Sequence, residues 1–502
     1  MPGPSHQRRK AVMRNTLSFV LPMLLVSTSA IFAAPPTFST KRVVNPFVNG
    51  LLPFDVRTAD IDQDGDTDIY TANYSGRIAW YANDGGQPPA SWVEHILTDF
   101  ADGAEATVAV RVDGDADVDF LSAAFNREEI AWYENGGNGQ SWTIRSITFD
   151  CRLCVDVWAA DLDRDGDNDA LSVSGFDGQL VWYENTGALT GWTPRPIGFA
   201  SESVEAADLD QDGDIDVAAG LVFFENDGGS PPAFTQRPAA SLPVGANHIA
   251  VLDVDRDGDP DVLSAGQEDD TIAWHENDGV ARRWITHVVS TTADFATGAY
   301  GADLDGDGDV DLLSSSFMNN TVAWYENDGG TPPSWTRRAI DTNAQGARSV
   351  FASDLDRDGD MDVLSATQND AKVSWHANDA NYTDADHDGV RDEVDCAPAN
   401  GTAFATPREV RSLRFRSAAL LEWNSAVVGS GSGARYDVVR GTLSGGGEAC
   451  LANDAAANSL TDGTSPAPGT GFYFLVRASN ACGTGSFGAG TSGVPRNLVA
   501  CQ

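Results

Sequence analysis

The sequence predicts an all-β fold: a seven-bladed β-propeller of four-stranded blades followed by a small β-sandwich. Three observations predict it. An Asp-rich loop recurs along most of the chain at near-constant spacing. An aromatic pair and a tight turn follow each copy. Helix-period patterns and helix caps are missing, while Gly and Asp punctuate every few residues.

The loop motif is Asp-x-Asp-x-Asp-Gly-Asp-x-Asp. It begins at Asp60, Asp161, Asp208, Asp253, Asp303 and Asp354, and a degenerate copy begins at Arg111. The intervals are 51, 50, 47, 45, 50 and 51 residues, a period that suggests repeated supersecondary units. The aromatic pairs are Trp80-Tyr81, Trp132-Tyr133, Trp182-Tyr183, Phe223-Phe224, Trp274-His275, Trp324-Tyr325 and Trp375-His376. An Asn-Asp-Gly-type turn follows, such as Asn327-Asp328-Gly329-Gly330.

Each unit reads as four short strands. In the sixth they are Ala299–Ala302, an alternating Val310–Ser315, Thr321–Tyr325 and Trp335–Ile340. Four-stranded units of this period suggest propeller blades, spanning residues 38–380. The seventh unit stops after its aromatic pair, and Phe38–Val44 reads as a strand without a parent blade. That strand can supply the missing edge, close the ring and remove exposed edges. The fourth unit is short before its aromatic pair and predicts a clipped hairpin. Recurrence in every unit favours core packing for the aromatic pairs; sugar stacking is the alternative.

The N-terminus, residues 1–33, reads as a signal peptide. Arg8, Arg9, Lys10 and Arg14 precede an apolar run from Leu17 to Val26, and small residues follow. A membrane anchor is the alternative, but the run is short for one. The expected location is secreted, extracellular or associated with the cell surface, without stable membrane insertion. Six cysteines suit an exported chain. Cys151 and Cys154 lie in an all-β repeat, which favours a local structural disulfide over redox work. The pairing of Cys396, Cys450, Cys482 and Cys501 is left open.

The formal charge is −42, and loss of the four basic residues of the leader takes it to −46. Such a chain repels nucleic acid and anionic lipid and calls for cations. Halophilic solubility would scatter the acids. Here 39 of 74 acidic residues lie in the seven loops and in one further motif at Asp384.

The loop spacing suits a hard cation that takes six to eight oxygens. Carboxylates at loop positions 1, 3 and 5 converge, Gly at position 6 permits the turn, position 7 offers its carbonyl and position 9 a further carboxylate. The candidate metal residues are Asp60, Asp62, Asp64, Asp66 (through its carbonyl) and Asp68 in the first loop. The others are Asp161, Asp163, Asp165, Asp167 and Asp169; Asp208, Asp210, Asp212, Asp214 and Asp216; and Asp253, Asp255, Asp257, Asp259 and Asp261. Asp303, Asp305, Asp307, Asp309 and Asp311, then Asp354, Asp356, Asp358, Asp360 and Asp362, complete the set. Magnesium fits less well than Ca2+, because it keeps more water and demands stricter geometry.

The loops with their flanking strands resemble the FG-GAP/VCBS repeat family, the calcium-loaded propeller units of integrin α-subunits. The resemblance implies calcium between the first two strands of each blade, and adhesion, ligand binding or scaffolding outside the cell. The second loop departs from it: Arg111 replaces the first Asp and Ala116 the Gly, so calcium is not expected there. Its remaining Asp residues are expected to pair with Arg111. No integrin-like module follows, so integrin function does not carry over.

Asp384, Asp386, Asp388, Asp392 and Asp395, with Gly389 and Cys396, resemble a thrombospondin type 3 or EF-hand calcium motif. Residues 384–396 read as a calcium-stiffened joint, with a plain acidic linker as the alternative. In residues 405–502, strands at Ala418–Trp423, Tyr436–Arg440 and Phe472–Ala478 resemble a fibronectin type III sandwich, although Phe472 stands where that family has its corner Tyr.

No nucleophile elbow, His-Glu-x-x-His or phosphate-binding glycine loop is found. His275 and His376 share a repeat position usually held by Tyr, which favours a structural role. The leading expectation is a non-catalytic, monomeric adhesion, ligand-binding or scaffold protein, not an enzyme, whose partner is an extracellular protein or glycan. The rival is a carbohydrate-active lyase or hydrolase with its site in the propeller channel.

Overall fold

The computed structural model describes residues 36, 38, 42–44, 51–86, 89, 91–187, 191–200, 202–220, 222–238, 246–279, 281, 283–330 and 332–378. Beyond these it describes 414–415, 420–422, 435–442, 449–456, 459–462, 464, 472–480 and 483–484. The expected signal peptide and the acidic motif at 384–396 lie outside the described residues.

Seven four-stranded antiparallel sheets run from residue 42 to residue 376. Their first strands are Pro53–Ala59, Ala104–Val110, Cys154–Ala160, Val204–Ala207, Ala246–Leu252, Ala296–Ala302 and Ala347–Ser353. Each touches the first strands on either side, and Ala347–Ser353 touches Pro53–Ala59. These strands therefore form the inner ring of a β-propeller. Arg42–Val43 pairs with Lys372–His376 as the outer strand of the seventh sheet, and Phe38 bridges Asn378. The fourth blade has the short hairpin that its sequence predicts, Asp216–Ala219 against Val222–Asn226.

The second strands differ from expectation. They do not alternate between core and solvent. Asp311–Ser316 is buried at all six positions, as are Asp68–Asn73 and Asp119–Ala124. The reason is face-to-face stacking of blades, which leaves neither side of the strand wet. One apolar cluster shows it: Ile61, Tyr70, Ile78 and Trp80 of blade one pack with Ala104, Phe120, Ala131 and Tyr133 of blade two.

The aromatic pairs are core, not platforms for sugars. Trp80, Trp132, Trp182, Trp274, Trp324 and Trp375 are fully buried. In blades two, three and six the second member of the pair bonds a serine on the adjacent strand: Tyr133 with Ser122, Tyr183 with Ser172 and Tyr325 with Ser314. His275 and His376 keep that bond in place of Tyr, through Nε2 to Ser264 at 2.9 Å and to Ser365 at 3.0 Å.

Cys151 and Cys154 form a disulfide at the entry to blade three. The C-terminal region holds a three-stranded and a four-stranded sheet. Leu421 and Leu460 of the first pack with Tyr436, Val438, Val476 and Ala478 of the second.

Candidate functional site

Each Asp loop follows the end of an inner strand and is folded by its own carboxylates. Position 3 accepts the N–H of position 5, as Asp62 does from Asp64 at 3.3 Å, and position 5 accepts that of position 7. Position 1 accepts the N–H of the Gly at position 6: Asp161 from Gly166 at 3.1 Å, Asp303 from Gly308 at 2.7 Å. That Gly has φ near +90° in every full loop, where a side chain is strained.

This leaves the other oxygen of position 1 facing inward. Oδ1 of Asp60, Asp161, Asp253, Asp303 and Asp354 is buried and takes no hydrogen bond. In blades one, four, five and six, carboxylate oxygens of positions 1, 3 and 9 converge to within 4.8 Å of one another; in blade three, positions 1, 3 and 5 do so. Buried, unpaired anionic oxygens packed this closely fit a bound metal ion.

Position 9 has a second task that the sequence reading missed. Asp169 accepts the N–H of Leu162 through Oδ2 and that of Asn185 through Oδ1, at 3.1 and 2.8 Å. The same pair of bonds recurs at Asp68, Asp119, Asp216, Asp261, Asp311 and Asp362. Burial pushes Asp216 up to about 8 and Asp261 up to about 9, against the pull of these N–H groups. In blades one to five and seven the Asn that opens the turn then reaches back one blade. Asn185 Nδ2 donates to Val112 O at 2.9 Å and Asn378 Nδ2 to Leu304 O at 2.8 Å. An Asp–Asn belt thus ties blade to blade beside the loops. The recurrence of that Asn in all seven repeats was the available signal.

In blades one, two, four, five and six the position 7 side chain turns away from its own loop, which leaves the carbonyl assigned to that position as its contribution. Arg357 Nη2 meets Asp66 Oδ1 at 2.6 Å, Gln63 Nε2 meets Asp117 at 2.6 Å and Gln211 Nε2 meets Asp259 at 2.7 Å. Arg164 pairs with Asp214, and Arg256 lies 3.8 Å from Asp309. In each case position 4 of one loop latches position 7 of the next.

The second loop keeps this frame but not its first carboxylate. The expected ion pair within it is not formed among the described residues. Arg111 is exposed, and its Nε donates to the carbonyl of Ala116 at 3.0 Å. Position 6 thus offers its carbonyl to position 1 here, where in other loops it offers its N–H.

At the opposite end of the inner strands, the ring opens into a cavity of 490 Å³ lined by all seven blades. The inner strands of blades one, two, three, five, six and seven each carry a register shift. The residues passed over are Phe54, Glu105, Val155, Asn247, Thr297 and Arg348, and all six line the cavity. A bulge re-aims a side chain, and here it aims six of them into one space. Arg348 lies 4.4 Å from the rings of both Phe54 and Phe317. Burial lifts Glu105 to about 8, opposed by Arg348. Phe100, Phe149, Phe176 and Met318, all exposed, stand in connections at this same end, and the exposed Phe199 closes the strand Trp192–Phe199 there.

The carboxylates deeper in the channel are occupied. Asp156 accepts Ser203 Oγ at 3.0 Å and the N–H of Val204 at 2.9 Å; Glu205 accepts the N–H of Val251 at 2.7 Å. Each stitches its inner strand to the next. Burial raises both, Asp156 to about 6 and Glu205 to about 7, with Arg57 pulling the other way.

A family model described as FG-GAP-like repeat matches residues 60–122, 111–172, 161–219, 253–314 and 303–365. Merged, these spans are 60–219 and 253–365, more than half of the 502 residues. No curated protein matches the chain. An Agrocybe aegerita lectin, described by its specific recognition of non-reducing terminal N-acetylglucosamine, is 15% identical with a TM-score of 0.41 over 59% of this chain and 81% of that one. BBS1N in complex with ARL6DN, from a crystal soaked with lead, is 13% identical with a TM-score of 0.45 over 69% of this chain and 98% of that one. The same complex soaked with mercury gives 12% and 0.45 over 69% and 97%. At these scores neither likeness carries an argument. Among the described residues no helix is long and apolar enough to cross a membrane.

Proposed function

The chain belongs to the FG-GAP-like repeat family, and from that premise we propose a secreted, calcium-binding propeller that acts as a non-catalytic adhesion, ligand-binding or scaffold module. One observation carries the calcium reading: the buried, unpaired Oδ1 of position 1 in five of the loops. Oxygen-only ligands in a flexible loop suit calcium over softer metals. The ions would occupy the carboxylates of positions 1, 3, 5 and 9 and the carbonyl of position 7.

The cavity opposite the loops supports the binding reading. Its 490 Å³ lies in the range of small-ligand sites, and exposed aromatic side chains stand at its end of the ring. Export is supported by the basic and apolar N-terminus and by the disulfide of blade three. Asp156 and Glu205 are held by backbone N–H groups, so the enzymatic rival would have to work through Glu105 and Glu202 of the cavity wall.

Glycan-array and protein binding, measured beside polysaccharide turnover on one calcium-loaded sample, tests the proposal. Binding that is lost with Arg348→Ala, without turnover, supports it. Turnover abolished by Glu105→Gln or Glu202→Gln, with the fold intact, overturns it.

A further inference from the structure

We propose that the seventh loop holds its calcium ion with the side chain of Asp360 as an additional ligand, beside Asp354, Asp356, Asp358 and Asp362, and binds it more tightly than the other loops do. The inference rests on the calcium reading above.

Two contacts hold a position 7 carboxylate away from its own ion. The first is the latch from position 4 of the preceding loop, made by Arg357, Gln63, Arg164, Gln211 and Arg256. The second is a seat over the turn glycine. A Cβ on Gly85, Gly187, Gly228, Gly279 or Gly329 would come within 2.5, 2.8, 2.2, 2.5 and 2.2 Å of the position 7 Oδ2. That seat therefore exists only where the turn residue lacks a Cβ.

The sequence of blade seven supplies neither contact. Position 4 of the preceding loop is Gly306, which has no side chain to offer. The turn reads Asn378-Asp379-Ala380, with Ala where the other six repeats have Gly. Blade three also faces a glycine, Gly114, but it keeps the seat at Gly187.

The side chain responds accordingly. Asp360 is 4% exposed, and its Oδ1 is buried without a hydrogen bond. Its carboxyl group lies against that of Asp358 at position 5. Oδ1 of Asp354 and of Asp356 in the same loop are likewise buried and unpaired. Three inward carboxylate oxygens without partners demand a cation more strongly than one does. Calcium affinity rises with the number of charged ligands, so the seventh site gains.

The test is calcium titration of the stripped full-length protein by calorimetry, with the bound total counted by equilibrium dialysis. One ion is expected to bind on the order of tenfold more tightly than the rest. Gly306→Arg combined with Ala380→Gly restores latch and seat and leaves every loop carboxylate in place. It should bring that ion to the level of the others without changing the total. Asp360→Asn should do the same. A wild-type protein with no tighter ion, or a tight ion that survives both changes, overturns the inference and leaves the calcium reading standing. Absence of any bound calcium overturns both.

Discussion

Stripping calcium should melt the ring far below its loaded temperature. The loops bring carboxylate oxygens within 4.8 Å of one another. Two full charges at that distance repel by about 3 kcal/mol at an effective dielectric of about 20. An empty loop escapes part of this by taking up protons, as the raised values of Asp216 and Asp261 indicate. An ion removes the repulsion and also satisfies the inward Oδ1. At free calcium about 100 times Kd, each site stabilises the native state by about 2.7 kcal/mol. Six sites give about 16 kcal/mol, which exceeds the usual net stability of about 5–15 kcal/mol. The expected drop in Tm is on the order of 20 °C or more. Differential scanning calorimetry in millimolar calcium, in excess chelator and after back-titration measures it. An unchanged melting curve in chelator, with metal removal verified by elemental analysis, would falsify the structural role of the ions.

Three further outcomes follow from single features. Asn185→Ala removes the donors to Val112 O and Asn168 O and should cost about 3 kcal/mol in urea unfolding, because buried carbonyls lose their partners; a loss below about 0.5 kcal/mol would show that the belt is not a brace. Glu105 has its folded value lifted by burial to about 8, so the native state holds the extra proton and stability falls as pH rises from about 4.5 through about 8. Glu105→Gln should therefore stabilise by on the order of 2 kcal/mol at pH ~9 and by nothing measurable at pH ~4; an equal gain at both would place the effect elsewhere. Arg111→Asp with Ala116→Gly should raise the propeller's calcium count by one, and an unchanged count by elemental analysis would show that the second loop is blocked for another reason.

The ring and the placing of its Asp loops were legible because the same residue types return at fixed spacing. Asp60 and Asp354 do the same job nearly three hundred residues apart, and the period announces it. The missing fourth strand of the last repeat pointed to closure by Arg42–Val43. The cavity was not legible. Its six bulge residues are Phe, Glu, Val, Asn, Thr and Arg, which share a backbone position and no chemistry. The latches were hidden for a different reason. Arg357 and Asp66 are close only because the ring closes, and nothing local in either loop marks the pair. The full burial of the second strands was likewise a property of stacked blades rather than of any one blade.

If the loops hold calcium and the cavity holds the ligand, as proposed, the distance between the two ends of the ring constrains how calcium can govern binding. Pro53–Ala59 is seven residues long, and at about 3.3 Å per residue it separates the Asp loops from the cavity by about 20 Å. The Debye length near physiological salt is about 8 Å. The charge of bound ions would therefore reach the cavity strongly screened, and no loop carboxylate lines it. What does cross the distance is the backbone. Phe54, Arg348 and their counterparts are aimed by bulges whose register depends on inner strands held side by side. Those strands are clamped at their far ends by the belt and the latches, both built on loop carboxylates. Calcium should thus act on ligand affinity through the rigidity of the ring and not through the field of the ions. Partial loading that leaves the ring folded should leave affinity nearly unchanged, and affinity should collapse only where the melting curve does.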